Sequence, residues 1–250
     1  SKEPPVKPLA ARHDAYYDLL SMLSLSATHW NNLIGRGLSA AAIGALMYKT
    51  APTGVAADRV AEMLGRKHDL DGIPGFYMNT AGHWRMRCQP GVFIPLCDPQ
   101  GYIQGLQIRL DNENDGKFRL FSSRYDPKGS RAHPYLHVTG NVGLSGAILM
   151  EGAMKADIMN YFTVGKHLFV AQAGAGNQKH MIPLLQRLGV SQVSIGYDMD
   201  RLTNPHIQKH VESLVAKLNT AQITYRLAQW DSSFNGMDDY ALHVLKQKAA

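Results

Sequence analysis

The chain has 250 residues, 45% of them hydrophobic, and a formal net charge of +6. That length can bury a sizeable core, and two domains are expected. No apolar run approaches the roughly 20 residues that cross a bilayer, and the first eight residues lack the apolar centre of a signal peptide, so a soluble, cytoplasmic protein with no membrane partner is expected.

Cys88 and Cys97 have no Cys or His at finger spacing beside them, which argues against a disulfide framework and against structural zinc. Residues 1–11 are rich in Pro and Lys and read as a disordered lead or linker. From His13 to about Tyr48 apolar residues recur at helical spacing: Tyr16, Leu19, Leu20 and Leu23, then Trp30, Leu33 and Ile34, then Ile43, Leu46 and Met47. With Ser26 and Ser39 as N-caps this predicts three short helices, and a further one spans Val55 to Leu64.

Between Gly75 and Val138 the texture turns to β. Two apolar runs, Gly91 to Cys97 and Tyr102 to Leu110, flank Asp98-Pro-Gln-Gly101 and predict a hairpin; a third run covers Lys117 to Ser122. From Lys117 to Arg131 five basic residues (Lys117, Arg119, Arg124, Lys128, Arg131) face one acid, Asp126, and carry Phe118, Phe121 and Tyr125 among them. Cations interleaved with aromatics suit nucleotides, with a solvated loop as the ordinary alternative. Pro134 argues against a helix that holds His133 and His137 on one ion, so an ordinary loop is expected there.

From Ala147 onward strands and helices alternate. Strands to Met150, at His167 to Gln172, Val193 to Tyr197 and Gln222 to Leu227 are separated by helices at Met154 to Phe162, Lys179 to Leu188 and Pro205 to Leu218. Such alternation specifies a parallel sheet with helices on its faces. Glu151 and the pair Asp198 and Asp200 each follow a buried-strand run, and ligands of parallel sheets bind beyond the carboxyl ends of the strands. Acids that converge there repel one another, so a hard divalent cation is the natural occupant. Helix capping is the alternative for these acids and for Asp238 and Asp239. Gly174-Ala-Gly176-Asn177 fits a phosphate cradle or a plain strand-to-helix turn equally well.

The Glu151-Gly152 strand end, the Ala171-Gln-Ala-Gly174 strand end, the Asp198-Met-Asp200 pair and Asn235-Gly-Met-Asp238-Asp239-Tyr240 together resemble the Toprim fold of bacterial-type, DnaG-like primases. Asn32-Leu-Ile-Gly-Arg36-Gly37-Leu38-Ser39 with Met47-Tyr48-Lys-Thr-Ala51-Pro52, the hairpin Phe93 to Arg109, and Lys117 to Ser123 are similar to successive stretches of the primase catalytic core. The matches run over roughly residues 12–245 and identify a divergent core of the kind found on phages and mobile elements. Two departures stand out: Lys155 takes a position where the family has an acid, and Asp198-Met-Asp200 continues as Arg201-Leu-Thr-Asn204-Pro205 instead of closing on Ala-Gly. A local ion pair of Lys155 with Glu151, four residues back, is one reading of the first.

The resemblance implies an α+β and α/β fold: a linker at 1–11, an N-terminal helical and antiparallel-β subdomain at 12–146, and a Rossmann-like Toprim subdomain at 147–250. It implies DNA-dependent synthesis of short RNA primers on single-stranded DNA from NTPs, with one or two Mg²⁺ or Mn²⁺ ions and a replicative helicase as a partner. Glu151, Asp198 and Asp200 are the implied catalytic residues, joined by Asp238 and Asp239 as metal ligands, while Arg109, Lys117, Arg119, Arg124 and Lys155 are assigned to nucleotide and template. The rival expectations are a catalytically weak Toprim module that binds nucleic acid and a Toprim nuclease.

Overall fold

The computed structural model describes residues 5–112, 114, 116–173 and 178–249. The chain divides into two compact units, one running to Ile34 and resuming over Ala40–Pro134, the other made of Gly35–Ser39 and the residues from Tyr135 onward.

In the first unit the helical periodicity yields α1 (Leu9–Ser21), α2 (Ala27–Gly35), α3 (Ala40–Leu46) and α4 (Gly54–Gly65). Ser26 caps α2 as expected, its hydroxyl accepting from the backbone N–H of His29 at 3.2 Å. Helix α1 starts at Leu9, inside the stretch expected to be a disordered lead. The cause is a set of anchors that composition does not reveal. The Lys7 N–H donates to the Gly72 carbonyl at 2.9 Å, and the buried Arg12 donates through Nε to the Lys7 carbonyl at 3.0 Å.

The β part of this unit comprises β1 (Lys49–Thr50), the hairpin β2 (Phe76–Met78) and β3 (Trp84–Met86), then β4 (Gly91–Cys97), β5 (Ile103–Leu110) and β6 (Phe118–Leu120). An antiparallel sheet runs in the order β1-β4-β5-β6. The expected Asp98 turn is present: Asp98 Oδ1 accepts from the N–H groups of Gln100 at 2.9 Å and Tyr102 at 2.8 Å. Phe121 centres the core with Tyr16, Phe76 and Phe93 set edge-on around it, at ring-centroid distances of 6.4, 5.3 and 5.1 Å. Gly75 permits this, since at φ +96° a Cβ there would lie 2.2 Å from the Phe121 ring.

The second unit holds β7 (Leu136–Gly140), β8 (Gly146–Glu151), α5 (Ala153–Phe162), β9 (Leu168–Gln172), α6 (Gln178–Arg187), β10 (Gln192–Gly196), a 3-10 turn (Met199–Leu202), α7 (Pro205–Thr220), β11 (Thr224–Leu227) and α8 (Met237–Ala249). Strand order is β11-β10-β8-β9-β7, parallel throughout except for β7, which runs antiparallel to β9. Side chains alternate between the two faces of the sheet. Leu149, Leu168, Val170 and Ile195 pack with residues of α6 and α7, whereas Met150, Phe169 and Ala171 pack with Ala156 and Met159 of α5.

Two details depart from the expected layout. Leu136 and His137, at the end of the 133–137 segment read as loop, belong to strand β7 because His137 pairs with Ala171 of β9 and its Nε2 meets Asp157 Oδ1 at 2.9 Å, both side chains being buried. The division between the units falls after Pro134. The Gly35–Ser39 segment, meanwhile, belongs with the second unit. A Cβ on Gly37, at φ +89°, would lie 2.7 Å from Leu242 and 3.0 Å from Phe162, so this segment rests on α5 and α8 and needs glycine there.

Candidate active site

The topology places the acids. From β8 the chain moves through α5 to β9 on one side, and then through α6 to β10 on the other side of β8. The winding thus reverses between β8 and β10, where parallel sheets open a crevice beyond their carboxyl ends. Glu151 is the last residue of β8, and Gly196 of β10 pairs with Met150. Tyr197 therefore follows alongside Glu151, and Asp198 lies one residue further out. Burial raises the pKa of the Tyr197 phenol well above its ordinary range, and the nearby charge of Glu151 pushes the same way.

Asp198 is held from two sides. Its Oδ2 accepts from the Lys155 ammonium in a short contact and from Asn235 Nδ2 at 3.1 Å. The loop that carries Asn235 is fixed in turn, because its carbonyl accepts from the Met199 N–H at 2.9 Å. Asp238 and Asp239 stand in the first turn of α8, where carboxylates suit the helix dipole. Asp238 is only 3% exposed, and its Oδ2 lies 3.9 Å from Nη1 of Arg36. Its Oδ1 is buried with no hydrogen-bond partner among the described residues. Burial raises the Asp238 pKa, assisted by Asp239 and opposed by the charges of Lys155 and Arg36.

These groups converge on Gly236. A Cβ at that position would lie 2.4 Å from Asp238 Oδ1, 3.3 Å from Asp239 Oδ2 and 3.4 Å from Lys155 Nζ. The Gly236 backbone packs closely against all three groups, so a side chain there would displace them. The donor set consists of hard carboxylate oxygens, one of them orphaned and buried, and such oxygens suit Mg²⁺ or Mn²⁺. Among the described residues, no three His, Cys, Asp or Glu side chains are grouped closely enough to hold an ion as they stand. The Lys155 ammonium already engages one of the carboxylates.

The remaining expected residues are distributed as follows. The Asp200 backbone lies in the 3-10 turn that follows β10, and its side chain is outside the described residues, as is the Gly174–Asn177 segment. Arg109, Lys117, Arg119 and Arg124 belong to the first unit. The ladder pairs Arg109 with Phe118 and Arg119 with Ile108, so Arg109 and Arg119 stand on opposite faces of the antiparallel sheet. Arg109 Nη1 donates to Asn32 Oδ1 at 3.2 Å, and the Arg124 guanidinium lies over the Tyr125 ring at 5.2 Å. Two residues of the acidic site, Arg36 and Asn235, were not singled out from sequence. Both lie inside the stretches that resemble primases, and that was the available signal.

The chain thus has an antiparallel α+β unit and a mostly parallel α/β unit in which Glu151 ends β8 and Asp198 follows β10 beside the reversal of winding. No protein-family model matches it, and no curated protein sequence matches it significantly. Among solved structures it is similar to the Aquifex aeolicus primase (zinc-binding and RNA polymerase domains), with TM-score 0.71 and 19% identity, covering 96% of this chain and 59% of that one. It is similar as well to a DnaG primase catalytic domain bound to single-stranded DNA, with TM-score 0.69, 19% identity, and 96% and 77% of the two chains covered. For the RNA polymerase domain of Mycobacterium tuberculosis primase DnaG the values are TM-score 0.66, 17% identity, 96% and 81%. The fold is that of the DnaG-type primase catalytic core.

Proposed function

We propose that the chain is a metal-dependent primase core of Toprim type that joins NTPs into short RNA primers on a single-stranded DNA template. The observation that carries this reading is the gathering of Asp198, Asp238, Asp239 and Lys155 beside the carboxyl ends of β8 and β10, in a fold shared with DnaG-type cores. A neighbour of that fold is bound to single-stranded DNA, which supports the choice of template.

Glu151, Asp198, Asp200, Asp238 and Asp239 are the oxygens that would hold Mg²⁺ or Mn²⁺. Bound there, the cation would supply charge stabilisation to the attacking 3′-oxygen and the departing pyrophosphate of nucleotidyl transfer. The chain's own groups set the stage for that chemistry. Asn235 orients the Asp198 carboxylate, Arg36 offsets part of the charge on Asp238, and Lys155 fixes Asp198 against its neighbours. Arg109, Lys117, Arg119 and Arg124 are assigned to phosphates of nucleotide and template, where guanidinium groups engage two oxygens at once.

The test is synthesis of short labelled products from NTPs on single-stranded DNA with Mg²⁺ or Mn²⁺. Asp198→Ala is expected to lower the rate by at least about 100-fold, the scale on which removal of a charge-stabilising group acts. Undiminished synthesis by that variant would remove Asp198 from the site. A second reading is favoured by the Lys155 contact, which neutralises an acid the chemistry needs: a catalytically weak module that binds nucleic acid. It predicts template binding without synthesis, insensitive to Asp198→Ala and lost on substitution of Lys117 and Arg124.

A further inference from the structure

We propose that Tyr125 is a stacking platform for an unpaired base, held out by a braced cationic loop over residues 123–131, and that this face of the first unit selects single-stranded over duplex DNA. The inference deepens the proposed function and rests on its single-stranded template.

Exposure argues first. The sequence sets three aromatics among the cations of this stretch, and the structure separates them. Phe121 is fully buried at the centre of the core, and Phe118 is half-buried in β6. Tyr125 is 89% exposed, the highest value of any large apolar side chain among the described residues. The loop that carries it is fixed. Its neck is closed by the Ser123 N–H donating to the Ser130 carbonyl at 3.2 Å and the Ser130 N–H donating to Ser123 Oγ at 2.9 Å. Ser123 Oγ donates in turn to the Phe76 carbonyl at 2.6 Å, which ties the neck to β2. Inside the loop the N–H groups of Asp126 and Gly129 donate to the carbonyls of Ser123 and Asp126, both at 2.9 Å. Gly129 sits so close to the neck that a Cβ there would lie 1.8 Å from the Ser123 carbonyl oxygen. A loop ordered in advance spares a ligand the cost of ordering it. Charge argues next. Asp126, the one acid of the loop, is engaged by Arg87 through two contacts, one of them from Nε to Oδ2 at 3.0 Å, and its side chain is only 6% exposed. The charge presented to solvent is that of Arg124, Lys128 and Arg131, all exposed. The Arg124 guanidinium lies over one face of the Tyr125 ring, at 5.2 Å from its centroid. That leaves the other face for a base, with a cation at hand for the phosphate of the same nucleotide. Every base has a face to offer once it is unpaired and unstacked, so such a platform tolerates any sequence; in a duplex those faces are taken by neighbouring pairs.

The experiment is titration of the whole chain into fluorescein-labelled oligo(dT) and into a labelled hairpin duplex, followed by anisotropy at fixed salt. Tyr125→Ala and Tyr125→Leu are expected to weaken oligo(dT) binding about 10-fold, whereas Tyr125→Phe and Tyr125→Trp, which keep a ring, bind as the wild type does. The loss should be confined to the single strand. In Tyr125→Trp the added indole should be quenched by oligo(dT), read as the difference from the wild type, and left unchanged by the duplex. Undiminished oligo(dT) binding by Tyr125→Ala, or an equal loss on the duplex, overturns the inference and leaves the primase reading in place. A wild type that binds oligo(dT) through Tyr125 yet makes no primers overturns that reading and leaves the inference standing. A wild type that does not bind oligo(dT) overturns both.

Discussion

Asp18 ties the start of the first unit to the residues that follow α4 through His68 and Lys67. His68 Nε2 lies 2.8 Å and Lys67 Nζ 2.9 Å from the same Asp18 oxygen. The hydrogen bond to His68, followed by that to Lys67, holds the Asp18 carboxyl below its ordinary 3.8. A folded-state value below the unfolded one means that the stabilisation is fully present above the ordinary value and is lost as pH falls through the folded value. Asp18→Asn is therefore expected to lower stability at pH 7 by roughly 0.2–1 kcal/mol, the range for partly exposed pairs. Urea unfolding of both proteins checks this: the gap should close as the pH is taken below that of the folded carboxyl, and a gap that persists unchanged in acid would assign the effect to packing. Asp18 lay outside every expected site, because its partners are some fifty positions away in sequence and no local pattern joins them.

At the scale of elements, the clearest dependence is that of β7 on α5. The buried contact between His137 and Asp157 links the antiparallel edge strand to the helix packed behind the sheet. Taking away one member strands its partner in a low-dielectric interior. Asp157→Ala should then cost about 3–5 kcal/mol, read as a lower urea midpoint with an unchanged m-value; a loss below about 1 kcal/mol would mean that the pair contributes little. The same element shows why some of the fold was legible and some was not. The β-α alternation after Ala147 could be read because β8 and β9 carry continuous apolar runs, β10 and β11 alternate apolar with polar residues, and the helices between them repeat an apolar face. Pro205 marked the start of α7, and the structure adds Asn204 as its cap, with Oδ1 accepting from the His206 N–H at 3.0 Å. The strands β1, β2, β3 and β7 escaped notice since they are two to five residues long and owe their existence to partners elsewhere in the chain. Leu136–Gly140 becomes a strand only because β9 offers it an edge.

Across the whole molecule, the sequence revealed the acids more readily than the groups that govern them. Glu151 and Asp198 were legible as polar residues that terminate apolar runs, and the register of β8 with β10 brings those two strand ends side by side. Lys155 was legible as an anomaly, but its contact with Asp198 spans 43 positions and needs the fold to be seen. Arg36 reaches Asp238 only because Gly35–Ser39 leaves its neighbours in sequence and joins the second unit. The central claim is that these acids share a divalent ion beyond the carboxyl ends of β8 and β10. The most direct measurement is an anomalous-difference map from crystals grown with Mn²⁺. The account predicts a peak within about 2.5 Å of carboxylate oxygens of this cluster, Asp238 among them; a map in which Mn²⁺ binds only away from Glu151, Asp198, Asp200, Asp238 and Asp239 would contradict it.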